Sequence, residues 1–142
     1  MDTNHGFVLA TPLSPASQHD ANYFQYCTVY SRHTKQSIKV AYGDKGYAGK
    51  ANREFLTLNK IADGIMRKDS TTAKLTAYEI NRNKKISKVR YIVEQYFGIS
   101  HLHDRAKQAR FTTIFKNKVD CWYRQAAFNI ARGLKIMRVA NV

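Results

Sequence analysis

The chain has 142 residues, 44% of them hydrophobic and 12% aromatic, which fits one domain with a packed core and excludes a disordered chain. Lysine and arginine number 24 against 10 acids, and the formal charge of +14 points to a polyanionic partner, nucleic acid first. No apolar run is long enough for a membrane helix, and residues 1–15 lack the basic start of a secretory signal.

In chain order, residues 7–13 (FVLATPL) read as a strand that Pro12 confines to an edge or exit. A loop and a short helix follow through SPASQHDANYFQY. Residues 37–43 (SIKVAYG) read as a second strand, apolar enough for burial on both faces. Residues 50–60 fit a short helix with Phe55, Leu56 and Leu58 as its apolar side, and residues 62–68 fit another strand. Residues 67–88 are polar and basic and read as a mobile connection, with room for a short helix at TAYEIN.

Two helices close the chain. Ile86 to His103 repeats Val89, Ile92, Val93, Tyr96 and Phe97 at spacings of three and four. Thr113 to Arg138 carries a stripe of Phe115, Val119, Trp122, Ala126, Ile130 and Met137. Strands first and helices last imply an α/β chain, with C-terminal helices packed on a short mixed sheet. Two or three strands are few for a sheet that stands alone, so the sheet reads as incomplete at the N-terminus.

Cys27 and Cys121 have neither zinc nor disulfide-framework spacing. Cys121 reads as a small buried residue, and a reducing, cytoplasmic setting is the default. The five histidines show no zinc-ligand spacing, and no phosphate-cradling glycine loop with its lysine occurs. His19 and Asp20 read as a polar loop pair. The aromatics Tyr23, Phe24, Tyr26 and Tyr30 could stack on bases, but such clusters more often form core.

Metal-assisted phosphodiester chemistry would draw on the ten acids. Two magnesium ions about 4 Å apart can clamp the attacking and leaving oxygens, which calls for roughly three convergent carboxylates. Asp44 stands just past a strand, on a turn flanked by Gly43, Gly46 and Gly49. Open α/β sheets place their ligand sites at that end of a strand. The plainer alternative is an aspartate capping the next helix. Glu94 lies about 40° from Arg90 on a helical wheel and His101 about 20°, so the three form one polar stripe beside the apolar face. The plainer alternative there is an Arg–Glu surface pair one turn apart.

YGDKGYAGKANREF, followed by VRYIVEQYFG, resembles the DDE transposases of bacterial insertion sequences. DTNHGFVLATPLSPASQHD and KQARFTTIFKNKVDCWYRQAAFNIARGLKI resemble the family's flanking segments, in the right order. The resemblance implies a ribonuclease-H-like catalytic domain over residues 1–142, with a basic flexible connection at about 67–85. It implies that Asp44 and Glu94 are the second and third catalytic acids, converging as ligands of Mg²⁺ or Mn²⁺, and that the glycines leave room for the DNA backbone. DNA contacts are expected from Lys45, Lys84, Lys85, Lys88, Arg90, His101 and Arg110, on transposon ends and target.

Of the family's Tyr-Arg-Glu-Lys signature, Arg90 and Glu94 are present, while Ser87 and His101 hold the other two positions. The first acid of the triad lies before the segment where this chain starts, and Asp2 and Asp20 do not match its motif. The chain therefore reads as the C-terminal half of a transposase, from a truncated, frameshifted or decayed gene. It would lack cleavage activity alone, and a second copy or the N-terminal half are the protein partners implied. Rival readings are a non-catalytic DNA-binding regulator of transposition and, more distantly, a small basic RNA- or ribosome-associated protein.

Overall fold

Val40–Gly43 (β1) and Ala62–Ile65 (β2) pair in parallel, Val40 opposite Ala62 and Gly43 opposite Ile65, in a computed structural model that describes residues 1–15, 17–34, 37–103 and 108–140. Four helices accompany them: α1 (Phe24–Thr34), α2 (Lys50–Leu58), α3 (Ala77–His103) and α4 (Ile114–Ala140). The residues gather into two units. Ser17–Tyr91 make the central one, while Met1–Ala16 and Ile92–Val142 make the terminal one. Helix α3 contributes to both.

In the central unit, α2 connects the two parallel strands, which need a crossover rather than a hairpin. Phe24, Leu56, Ile61 and Ile65 form the buried core, with Ala41, Tyr47 and Phe55 packed against it. On a further side of the strands, Val40, Tyr42 and Gly64 line an open groove with Arg82, Lys85, Ile86 and Val89 of α3. Gly64 is needed there. A Cβ on it would lie 2.7 Å from the Ala41 carbonyl oxygen and 2.7 Å from the Tyr42 ring.

Helix α2 ends in a Schellman motif. The Ile61 amide donates to the Leu56 carbonyl at 2.9 Å, and the Lys60 amide donates to that of Thr57 at 3.1 Å. Lys60 takes the left-handed position at φ 54°, where glycine is usual. The motif delivers Ile61 into the core beside Leu56 and sets the chain at the start of β2.

Helix α3 begins nine residues before the apolar periodicity does, at Ala77 rather than Ile86. Its start is a capping box. The Glu79 amide donates to Thr76 Oγ1 at 3.2 Å, and the Thr76 amide donates to Glu79 Oε2 at 3.0 Å. Residues 77–85 of the expected connection are therefore helical. Hydrogen bonds from the Thr76 backbone and hydroxyl hold the Glu79 carboxyl below its ordinary range.

In the terminal unit, residues 7–13 form no strand and pair with none among the described residues. Side chains of α4 take the place of a neighbouring strand. Asn129 accepts from the Val8 amide at 2.8 Å and donates to the Val8 carbonyl at 2.9 Å. Gln125 donates to the same carbonyl and accepts from the Thr11 hydroxyl, and Arg132 donates to the His5 carbonyl. These residues recur at four and three along α4, so they share one face. Tyr96 of α3 meets Phe128 of α4 edge to face, with ring centroids 5.0 Å apart.

Three further expectations change. The sheet is a two-stranded parallel one among the described residues, not a mixed one. Tyr42 is 38% exposed, so β1 is not buried on both faces. The apolar stripe of α4 does not face the N-terminal segment, because the amide-bearing face makes that contact. Phe115, Trp122, Ile130 and Met137 are exposed, and Cys121 is half-buried.

Three outcomes are expected. Gly64→Ala destabilises the central unit by about 1–3 kcal/mol in denaturant titrations, because the added carbon meets backbone and ring atoms with no room. Thr76→Ala costs about 1 kcal/mol, seen as earlier loss of helical signal. The cap's pH dependence has a definite sign: a carboxyl held low in the folded state contributes stability above its unfolded value and loses it on acidification. Thr76→Ala should therefore flatten the fall in stability through the glutamate titration range.

Candidate active site

Strand β1 runs into Asp44, which stands immediately beyond its carboxyl end. Asp44 Oδ1 accepts from the Gly46 amide at 2.8 Å and caps the single 3-10 turn Lys45–Tyr47. The capping role weighed from sequence is thus real, although it serves this turn. Helix α2 starts at Gly49 with no side-chain cap. A Cβ on Gly46 would lie 3.0 Å from Asp44 Oδ1, so one local use of that glycine is to let the turn close on the carboxylate.

The other carboxylate oxygen faces a charge. Arg90 Nη2 lies 3.6 Å from Asp44 Oδ2, and Arg90 Nη1 lies 3.9 Å from the sulfur of Met66, just past β2. One arginine of α3 therefore reaches the carboxyl ends of both strands. The Asp44 side chain is 44% exposed, leaving oxygen lone pairs open to solvent.

Buried Asn52 holds the turn from below. Its Nδ2 donates to the Tyr47 carbonyl at 3.1 Å and to the Ala21 carbonyl at 3.3 Å, and its Oδ1 accepts from Gln25. Tyr47 packs on Phe24 with ring centroids 5.5 Å apart. Burial raises the Tyr47 phenol above its ordinary value, the charges of Asp44 and Asp20 add to this, and Arg90 opposes it. Asn52 and Tyr47 were not singled out from sequence. Their sole local signal is a polar residue on an otherwise amphipathic helix and an aromatic in a glycine turn.

The remaining expected residues fall as follows. Lys45, Lys84, Lys85 and Lys88 belong to the central unit and are exposed. Glu94 and His101 are exposed on the later part of α3, in the terminal unit, and the His101 ring lies 6.4 Å from that of Phe97. Arg110 is paired with Asp120 at 3.3 Å, and Asp120 also holds Arg124 at 2.7 Å. The structure brings Arg90 to Asp44, while Asp44 and Glu94 lie in different units. Asp2 is buried and accepts from the amides of Asn4 and His5, which gives it a turn-forming part. His19 caps the 3-10 turn Asp20–Tyr23 through Nδ1. Phe24 is buried core, whereas Tyr26 and Tyr30 are exposed and stacked. Asp104, one of the ten acids, and Lys107, a further basic residue expected to meet DNA, lie outside the described residues.

Among the described residues no three His, Cys, Asp or Glu side chains gather as a metal-binding group, and no helix is long and apolar enough to cross a membrane. The Asp44 carboxylate offers the hard oxygen donor that Mg²⁺ prefers, but one carboxylate alone is an incomplete set.

The family described as the transposase DDE domain matches residues 1–130. The chain belongs to that family. It is also 35% identical, over 93 residues, to the transposase for insertion sequence element IS1106 of Neisseria meningitidis serogroup B. That match covers 66% of this chain and 32% of the relative, so the chain spans about a third of the length of the curated relative it matches. No solved structure matches it. Membership in the DDE family bears out the resemblance read from sequence, and it does not favour the RNA- or ribosome-associated reading.

The Tyr47 environment yields a measurable consequence. In a site-resolved NMR titration, Asp44→Asn should lower the Tyr47 pKa and Arg90→Gln should raise it further, since each removes one of the opposing charges. A phenol whose folded pKa is raised contributes stability that is present below the unfolded tyrosine value and lost as pH rises through the folded one. Tyr47→Phe should therefore lessen the alkaline loss of stability.

Proposed function

We propose that this chain is a transposase-type polypeptide that acts on DNA, and that it forms the part of a DDE catalytic domain supplying the second and third acids. In this reading residues 1–142 work as one domain of ribonuclease-H-like fold, in the cytoplasm. Asp44 and Glu94 would hold a divalent cation, Mg²⁺ or Mn²⁺, which when bound activates water for strand cleavage and the 3′-hydroxyl for strand transfer. Asp44 is held rigidly for that task by its strand, its Gly46 cap and the Asn52 ties. Arg90, Lys45, Lys84, Lys85, Lys88, His101 and Arg110 would meet phosphates of transposon ends and target. Further cation ligands would come from water, phosphate oxygens or a carboxylate of another polypeptide.

The observation that carries the reading is a carboxylate at the carboxyl end of a parallel strand, faced by an arginine, in a member of the DDE family. A carboxylate that only capped its turn would have no need of Arg90.

The test is Mn²⁺ binding in the presence of duplex DNA, read by paramagnetic broadening of backbone resonances. Broadening should centre on residues near Asp44 and Glu94, and Asp44→Asn or Glu94→Gln should each weaken it at least tenfold, the loss of about one strong interaction. Mn²⁺ affinity unchanged in either variant would remove that residue from the ligand set. Duplex binding without metal dependence would favour a DNA-binding regulator of transposition instead.

A further inference from the structure

Asp63 of β2 draws three arginines of the central unit together. Arg53 of α2 pairs with Asp63 Oδ2, Arg82 of α3 lies 3.6 Å from Oδ1, and Arg67 lies 3.8 Å from Oδ2. All four side chains are partly buried, with exposures of 22%, 21% and 41% for Arg53, Arg82 and Arg67 and 27% for Asp63. One carboxylate cannot neutralise three guanidiniums. Glu79 acts on Arg67 and Arg82 from further off, but its carboxylate is committed to the Thr76 cap. A partly buried excess of positive charge is costly unless an anion completes it.

The three arginines are not equivalent. Arg82 donates to the Ile65 and Asp63 carbonyls, and Arg53 donates to that of Met66, so both guanidiniums are anchored to the end of β2. Arg67 is different. Its backbone is clamped by buried Asn83, which accepts from the Arg67 amide at 2.9 Å and donates to the Arg67 carbonyl at 2.9 Å. Among the described residues its guanidinium makes the long pair with Asp63 and no hydrogen bond, Glu79 acts on it from further off, and it is the most exposed of the three. A fixed backbone thus carries an uncommitted planar fork beside two anchored cations, the geometry that takes an oxyanion bidentately.

We propose that Arg67, flanked by Arg53 and Arg82, is a subsite for one phosphate oxyanion of a nucleic-acid backbone, separate from the Asp44 carboxylate. The proposal rests on the DNA-acting reading above. Asp63 serves as the positioning residue that keeps the three cations together when the phosphate is absent.

The test compares Arg67→Gln, Arg67→Lys and a control, Lys60→Asn. The control also removes one positive charge, from a position whose left-handed backbone suits asparagine. Duplex affinity is measured across a salt series, and thermal stability with inorganic phosphate at constant ionic strength. Arg67→Gln should weaken duplex binding roughly tenfold and make the log–log salt slope shallower by about 0.9, with Lys60→Asn close to the parent chain. Arg67→Lys, which keeps the charge without the fork, should keep the slope and recover only part of the affinity. Arg67→Gln matching Lys60→Asn on DNA but losing a phosphate-induced stabilisation would assign a free anion instead. Equal behaviour of Arg67→Gln and Lys60→Asn in both measurements would overturn the subsite. If the unsubstituted chain binds no duplex, the DNA-acting reading fails with it. Mn²⁺ binding lost in Asp44→Asn alongside duplex affinity and salt slope unchanged in Arg67→Gln would sink the subsite alone.

Discussion

Asp63 is where the central unit's secondary structure becomes tertiary structure. Two parallel strands of four residues each have too few hydrogen bonds to persist alone. Their ends must be tied to something else. The Asp63 carboxylate collects Arg53 from α2 at Oδ2 and Arg82 from α3 at Oδ1, and Oδ1 also accepts from the Ile65 amide at 2.8 Å and shapes the end of the strand. Arg82 then returns to the strand's own carbonyls. A single aspartate therefore joins a strand and two helices, through a charge-assisted hydrogen bond to Arg53 and an ion pair with Arg82.

That arrangement bears on Asp44 through α3. Because α3 is held to β2 at Arg82 and to Arg67 just beyond it at Asn83, Arg90 two turns later reaches the carboxyl ends of the strands. The Asp44–Arg90 pair depends on this docking as much as on either residue. An isolated surface pair of this kind contributes little, about 0–1 kcal/mol. Its interest lies in placement: a guanidinium occupies the region where a cation or a phosphate would be attracted to or compete with the same carboxylate.

The terminal unit solves a different problem with amides. A segment outside any helix or sheet leaves its N–H and C=O groups needing partners. Gln125 and Asn129 present donor and acceptor together and bracket Val8 much as a strand would. A helix face can do this only if it carries amides at helical spacing. This accounts for a long apolar stripe on α4 that is not the face packed on the segment.

Much was legible in the sequence because it is encoded locally. The glycine-flanked Asp44 turn, the helical periodicities and the order of motifs that marks the DDE family are all short-range patterns. The Thr76–Glu79 capping box was equally legible, as TAYE, but polar composition masked it: a helix start read by apolar spacing alone falls too late when its first turns are solvated. The tertiary structure alone decided the rest. Residues 7–13 have strand-like composition whether their partner is a strand or a row of amides, and only the fold selects between them. The Asp44–Arg90 pair and the three arginines on Asp63 join residues from separate elements, and no local spacing records which cation a carboxylate will meet. Charge composition determined that this chain suits a polyanion; packing decided which of the arginines around Asp63 are tied to backbone carbonyls and which is not.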